Sequence, residues 1–258
     1  MAGADPSASP RPRRRALLVL FATVLLDLLG FGMILPLLPF YAQNFGASEL
    51  QIGLLFASFS AAQLVFAPLL GRLSDRFGRR PVILASILGG ALAYLAFASA
   101  RSFAVLIAAR TASGVAAASL GIAQAYVADV TPPEERSRGM GLIGAAFGLG
   151  FIGGPALGAM LGLYGHAAVA LGAAALSCVN FVLALVWLPE PLAAAVRPGG
   201  EPGPAARWLD LGGLRRVGRP GRERTLFGLL FLFFLVTTGF AQMEATLALY
   251  CQQRFGFG

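Results

Sequence analysis

Gly71-Arg72-Leu73-Ser74-Asp75-Arg76-Phe77-Gly78-Arg79-Arg80-Pro81 is a charged stretch set between two apolar runs, Gln51 to Leu70 and Val82 to Ala100. Four arginines and one aspartate fall within these eleven residues. Gly71 and Gly78 permit a tight turn or a close backbone approach. Pro81 suits the first turn of a following helix, where its missing N–H leaves nothing unpaired. A loop that only fixes membrane orientation would need the arginines. It would not need glycine, aspartate and proline at this spacing.

The composition around the stretch is that of a membrane protein. Of 258 residues, 57% are apolar, and the mean hydropathy is +0.74, more apolar than a water-soluble domain. The net charge is +8 and every basic residue is an arginine. Those arginines sit in the gaps between apolar runs, so no soluble basic face is left to bind nucleic acid. Cys178 and Cys251 have no metal-ligand partner nearby, and His166 is the sole histidine. Histidine-based metal sites and catalytic triads are therefore excluded, and no phosphate-binding GxxxxGK[ST] loop occurs. Nothing indicates a cofactor, a metal or an enzyme.

Seven apolar runs follow one another: Ala16–Tyr41, Gln51–Leu70, Pro81–Ala100, Phe103–Val127, Met140–Tyr164, Ala167–Leu188 and Leu226–Tyr250. Each is near the ~20 residues that cross a bilayer. The first is too long for a secretory signal, and no small-residue cleavage site ends it. Residues 1–15, rich in Pro, Ser and Arg, are expected to form a disordered tail. Seventeen of the twenty arginines lie on the side of the N-terminus, which puts that side in the cytoplasm. Pro189 to Arg224 holds Pro-Gly stretches and scattered charge, and it separates six runs from one. The expected organisation is a six-helix bundle over 16–188, a cytoplasmic linker over 189–225, and the first helix of a second bundle over 226–258. The chain stops directly after its seventh run, so a partial chain is expected.

Charge at membrane depth is costly and marks function. Asp27 lies eleven residues into its run, about 16 Å at the α-helical rise. Arg110 lies seven residues into a run entered from the other side, about 10 Å deep. The two thus reach similar depths. They read either as an ion pair that fixes helix packing or as a protonation and coupling site. Arg110, Gly114, Ala117, Gly121 and Gln124 recur at steps of four and three, so a continuous helix would stack them on one face. That face reads as a cavity wall or a tight helix contact. Glu244 lies on the seventh run with Thr237, Thr238 and Gln242, polar enough to line a cavity, and is a second candidate for the coupling acid. In the fifth run, Gly150, Gly154 and Gly158 form a smooth stripe, and Pro155 can kink the helix. A second helical bundle is the expected partner of that stripe.

Together these residues resemble the major facilitator superfamily. The 71–81 stretch, above all Gly71, Asp75, Arg76, Gly78, Arg79 and Arg80, resembles its signature between helices two and three, which implies a cytoplasmic gating loop. Arg110 with Gly114 resembles the helix-four motif. Gly141, Gly150, Gly154-Pro155 and Gly158 resemble the helix-five antiporter motif. Leu26-Asp27-Leu-Leu-Gly30-Phe-Gly32 with Pro36-Leu-Leu-Pro39 is similar to helix one of drug/proton antiporters, and Ala123 to Arg136 points to the tetracycline-efflux-like branch. The resemblance implies two six-helix bundles around a central cavity. It also implies proton-coupled efflux of a small amphiphilic compound by alternating access, in the inner membrane of a bacterium. The partners it implies are the lipid bilayer, a small-molecule substrate and protons. A uniporter or symporter on the same fold stays open. A seven-helix receptor fits poorly, because its N-terminus would have to lie outside.

Overall fold

The computed structural model describes residues 10–190 and 222–255. The expected linker therefore lies almost wholly outside the described residues, as do residues 1–9. Every regular element among the described residues is helical.

The first crossing is built from α1 (Pro10–Ile34), a 3-10 turn (Leu35–Leu37) and α2 (Leu38–Gln43). Its breaks follow from Pro36 and Pro39, which lack the N–H that an unbroken helix requires. The helix begins within the arginine-rich tail, at Pro10, where an unstructured segment through Arg15 was expected. Next, α3 (Glu49–Phe77) opens on a capping box. Ser48 Oγ accepts from the Gln51 N–H, and Gln51 Oε1 accepts from the Ser48 N–H at 2.8 Å. This reciprocal pair satisfies donors the helix start would otherwise leave orphaned.

Gly78 alone separates α3 from α4 (Arg79–Ala98). The charged stretch is therefore not a loop. Residues 71–77 are the last turns of α3, and Gly78, at φ +101°, is the whole turn. Only glycine takes that conformation without strain.

The fourth crossing is split into α5 (Phe103–Ala117) and α6 (Leu120–Val130). At the split, the Ala118 and Ser119 N–H groups bond three residues back, to Val115 and Ala116. The Gln63 side chain of α3 donates to the Ala117 carbonyl there, at 3.3 Å. The expected single face from Arg110 to Gln124 is broken by this turn. Gly114 packs on α3, whereas a Cβ on Gly121 meets nothing within 4 Å among the described residues, and Gln124 is exposed.

The bundle closes with α7 (Arg136–Gly162) and α8 (His166–Trp187), and α9 (Arg222–Phe255) follows. Among the described residues, six segments are long and apolar enough to cross a membrane, whereas the apolar section of α9, Gly228–Met243, is shorter. Each side chain from Leu229 to Val236 is at least half exposed.

Helices in lipid gain little by hiding apolar surface from one another, so close backbone packing holds them together. The glycines supply it. The Gly150, Gly154 and Gly158 stripe of α7 lies on α1, where added Cβ atoms would meet Leu28 Cβ at 2.6 Å, Gly32 Cα at 2.7 Å and the Met33 carbonyl at 2.6 Å. The stripe was expected to face a second bundle; it faces the first helix of its own. The side of α7 left open carries Leu149, Ile152 and Met160. Gly114 makes the equivalent contact between α5 and α3, against the Phe59 backbone. Two apolar clusters fill the remaining interior. One, around Leu20, Tyr126 and Val127, lies toward the arginine-rich end; the other, around Leu38, Leu55 and Phe97, lies toward the opposite end.

Candidate functional site

The bundle places Arg110 against α1 one turn from Asp27. Arg110 of α5 is buried, with 2% of its surface exposed. Three rings surround its guanidinium: Phe59 at 4.1 Å, Phe31 at 5.3 Å and Phe56 at 5.9 Å from the ring centroids. A cation over an aromatic face is attracted by the ring quadrupole, more strongly where water is excluded. Phe56 and Phe59 share a face of α3 because they are three residues apart, and Phe31 stands one turn along α1 from Asp27. Asp27 itself is half-buried. The buried Tyr94 of α4 lies within electrostatic reach of both the Asp27 carboxylate and the Arg110 guanidinium. The Tyr94 ring packs against Gly30 of α1, where an added Cβ would sit in ordinary contact at 3.4 Å. Arg110 and Tyr94 thus both pack on α1 within about one turn of Asp27, Arg110 over Phe31 and Tyr94 against Gly30. Ionisable side chains at this depth are costly and mark a candidate functional site.

Gln124 is exposed on α6, beyond the break in the fourth crossing. Glu244 falls on α9, and its side chain lies outside the described residues. The aromatic cage and Tyr94 were missed from sequence. The spacing of Phe56 and Phe59 was a legible signal for the cage, and nothing local marked Tyr94.

The second site is the junction at the arginine-rich end. Arg79 Nη1 pairs with Asp75 at 2.7 Å, one turn back on α3, and donates to Ser74 Oγ at 2.6 Å. Its Nε reaches Asp129, at the end of α6, at 3.1 Å. One planar guanidinium therefore ties three helices, a geometry a lysine lacks. The Glu190 carboxylate caps α4, accepting from the backbone N–H of Arg79 at 2.8 Å and of Arg80 at 3.1 Å. A negative charge at a helix start also meets the positive end of the helix dipole. Arg80 Nη2 donates to the Leu185 carbonyl, and the Tyr126 hydroxyl to that of Pro189, at 2.6 Å. Gly78 leaves the space for this cap, because a Cβ there would lie 2.6 Å from Glu190 Oε1. Of the expected gating residues, Asp75, Gly78, Arg79 and Arg80 belong to this network. Arg76 instead lies exposed over the Phe77 ring, at 5.3 Å, and Gly71 lends its carbonyl to Ser74. Of the helix-five residues, Gly150, Gly154 and Gly158 press on α1, and Pro155 lies beside Gly32. Gly141 is exposed.

Comparison with known proteins agrees with this architecture. The chain is 39% identical over 186 residues to the class C tetracycline resistance protein of Escherichia coli, covering 71% of this chain and 47% of that protein. It is 34% identical over 290 residues to human major facilitator superfamily domain-containing protein 10, covering 95% of this chain and 62% of that one. It spans about half the length of the tetracycline resistance relatives it matches. The crystal structure of the human organic anion transporter MFSD10 (TETRAN) superposes with a TM-score of 0.75 at 33% identity, covering 96% of this chain and 67% of that one. An inward-facing bacterial homologue of the lysosomal transporter Spinster superposes at 0.73 with 19% identity, covering 99% of this chain and 58% of that one, a likeness of fold alone. The family model of the Major Facilitator Superfamily matches residues 20–258, and with the helical bundle and junction described above it establishes that the chain belongs to that superfamily.

Proposed function

We propose that this chain supplies the N-terminal bundle of a proton-coupled exporter of small amphiphilic organic compounds. The observation that carries the proposal is that the buried Arg110 and Tyr94 both pack on α1 within about one turn of Asp27. An acid near mid-membrane is costly to keep charged and useful only if it titrates or pairs. The likeness to tetracycline resistance proteins supports drug export as the direction of transport. The arginine distribution supports a cytoplasmic N-terminus, and the bacterial relatives support the inner membrane. In this proposal residues 16–188 form one bundle, 189–225 link it to a second, and α9 opens that second bundle. Alternating access would rock the two bundles around the Asp27 level, with the Arg79 junction biasing one of the two states.

A second reading is transport of organic anions, with the caged Arg110 as the cation that receives them. Similarity to the human organic anion transporter along almost the whole chain favours it. One experiment separates the readings. In inverted membrane vesicles holding the full-length protein, an imposed pH gradient drives uptake of tetracycline but not of an aromatic carboxylate if the first is correct. The reverse preference selects the second. Uptake of either compound that ignores the gradient rejects proton coupling.

A further inference from the structure

A cavity of about 1060 Å³ is not the only open space on the bundle; another, of about 580 Å³, lies where α1 begins and α8 ends. Its lining is Arg14, Arg15, Leu18, Val19 and Trp187. We propose that this smaller cavity binds the headgroup of an anionic phospholipid from the leaflet at the arginine-rich end.

The position fits a headgroup. Arg14 and Arg15 end the arginine cluster that directly precedes the first apolar run, and Trp187 ends the sixth span. All three therefore stand at the level where hydrocarbon gives way to water, and tryptophan is enriched at that level. The chemistry fits as well. Arg14 and Arg15 are both exposed and contribute two guanidiniums to one cavity, with no acid among its described lining residues. A guanidinium offers paired donors matched to phosphate oxygens. The half-exposed Trp187 adds an indole N–H. One turn deeper, Leu18 is 53% exposed and gives the first methylenes of an acyl chain an apolar wall. Continuing along the outer side of α8, Val186 and Val182 are 65% and 57% exposed. Positive charge at the mouth above an apolar wall suits a lipid better than a soluble anion, which would gain nothing from Leu18. Basic pockets between membrane helices are known to take anionic headgroups.

The test is native mass spectrometry of the full-length protein in detergent, titrated separately with phosphatidylglycerol, phosphatidylcholine and inorganic phosphate. The wild-type protein should retain phosphatidylglycerol in preference to phosphatidylcholine. Arg14→Gln/Arg15→Gln should weaken that retention about tenfold or more, whereas Arg136→Gln/Arg138→Gln at the same end should change it little. Equal retention of the two lipids, equal loss in both double variants, or phosphate displacing the lipid at low millimolar concentration would each overturn the proposal. If the Arg14/Arg15 variant does not fold, photoactivatable phosphatidylglycerol on the wild-type protein decides instead. Labelling of peptides holding residues 14–19 and Trp187 supports the site, and labelling confined to other helices rejects it.

Discussion

Gly154 of α7 and Gly32 of α1 meet backbone to backbone: a Cβ on Gly154 would lie 2.7 Å from the Gly32 Cα, and one on Gly32 would lie 3.2 Å from the Gly154 Cα. The atoms in the way are main chain, so no rotamer change relieves them. Gly154→Leu should therefore destabilise the bundle itself by about 3 kcal/mol or more, at the upper end for overpacking. Gly148→Leu, where an added Cβ meets nothing within 4 Å among the described residues, should cost far less. Thermal unfolding in detergent measures both. Equal melting temperatures for the two variants would refute the packing role.

Glu190 should matter through the start of α4. Replacing it with alanine leaves the Arg79 and Arg80 N–H groups without their carboxylate cap, at a cost of about 1 kcal/mol. Glu190→Gln keeps one good acceptor and should fall between the two. Hydrogen exchange at the Arg79 and Arg80 amides reads this locally: protection should drop in Glu190→Ala, and unchanged protection would contradict the cap.

At the same end, Arg79→Lys should separate what Arg79 joins. A lysine reaches one carboxylate at a time, and the pairs are partly exposed, with 11% of the Arg79 side chain accessible. Each pair is then worth about 1 kcal/mol at most. The expected signature is non-additivity: once Arg79 is lysine, Asp129→Asn adds little further loss. Full additivity of stabilities in the double-mutant cycle would show that Arg79 bridges nothing.

The junction and the six-helix plan were legible because charge and hydropathy alternate so sharply along the chain. Four arginines around Asp75 could only lie at an end of a bundle whose spans hold almost no charge. What the sequence concealed was packing. The Gly150–Gly158 stripe announces a close contact but not its partner, because small residues fit any smooth surface; only the fold reveals α1. The break at Ala118–Ser119 was also hidden. No proline or glycine marks it, and it is accompanied by Gln63 from a helix far away in sequence. For the same reason Gln124 was read onto one unbroken helix with Arg110, whereas the break lies between them. Asp27 and Arg110 were legible as isolated charges in apolar runs, whereas the Phe31, Phe56 and Phe59 cage depended on three-dimensional convergence.

That cage makes a prediction of its own. Arg110→Lys keeps the charge but loses the planar cation that lies on Phe59 at 4.1 Å. A loss of about 1 kcal/mol is expected, together with reduced transport. Phe59→Leu should reproduce part of the stability loss while leaving the charge in place. If Arg110→Lys melts and transports as the wild type does, the rings contribute only bulk.

The most direct measurement compares Asp27→Asn with the wild type in the full-length protein, following proton-driven uptake and downhill substrate exchange separately in inverted vesicles. If Asp27 carries the coupling proton, exchange persists in Asp27→Asn while uptake against a gradient is lost. Proton-driven uptake surviving in Asp27→Asn at the wild-type stoichiometry would contradict that role.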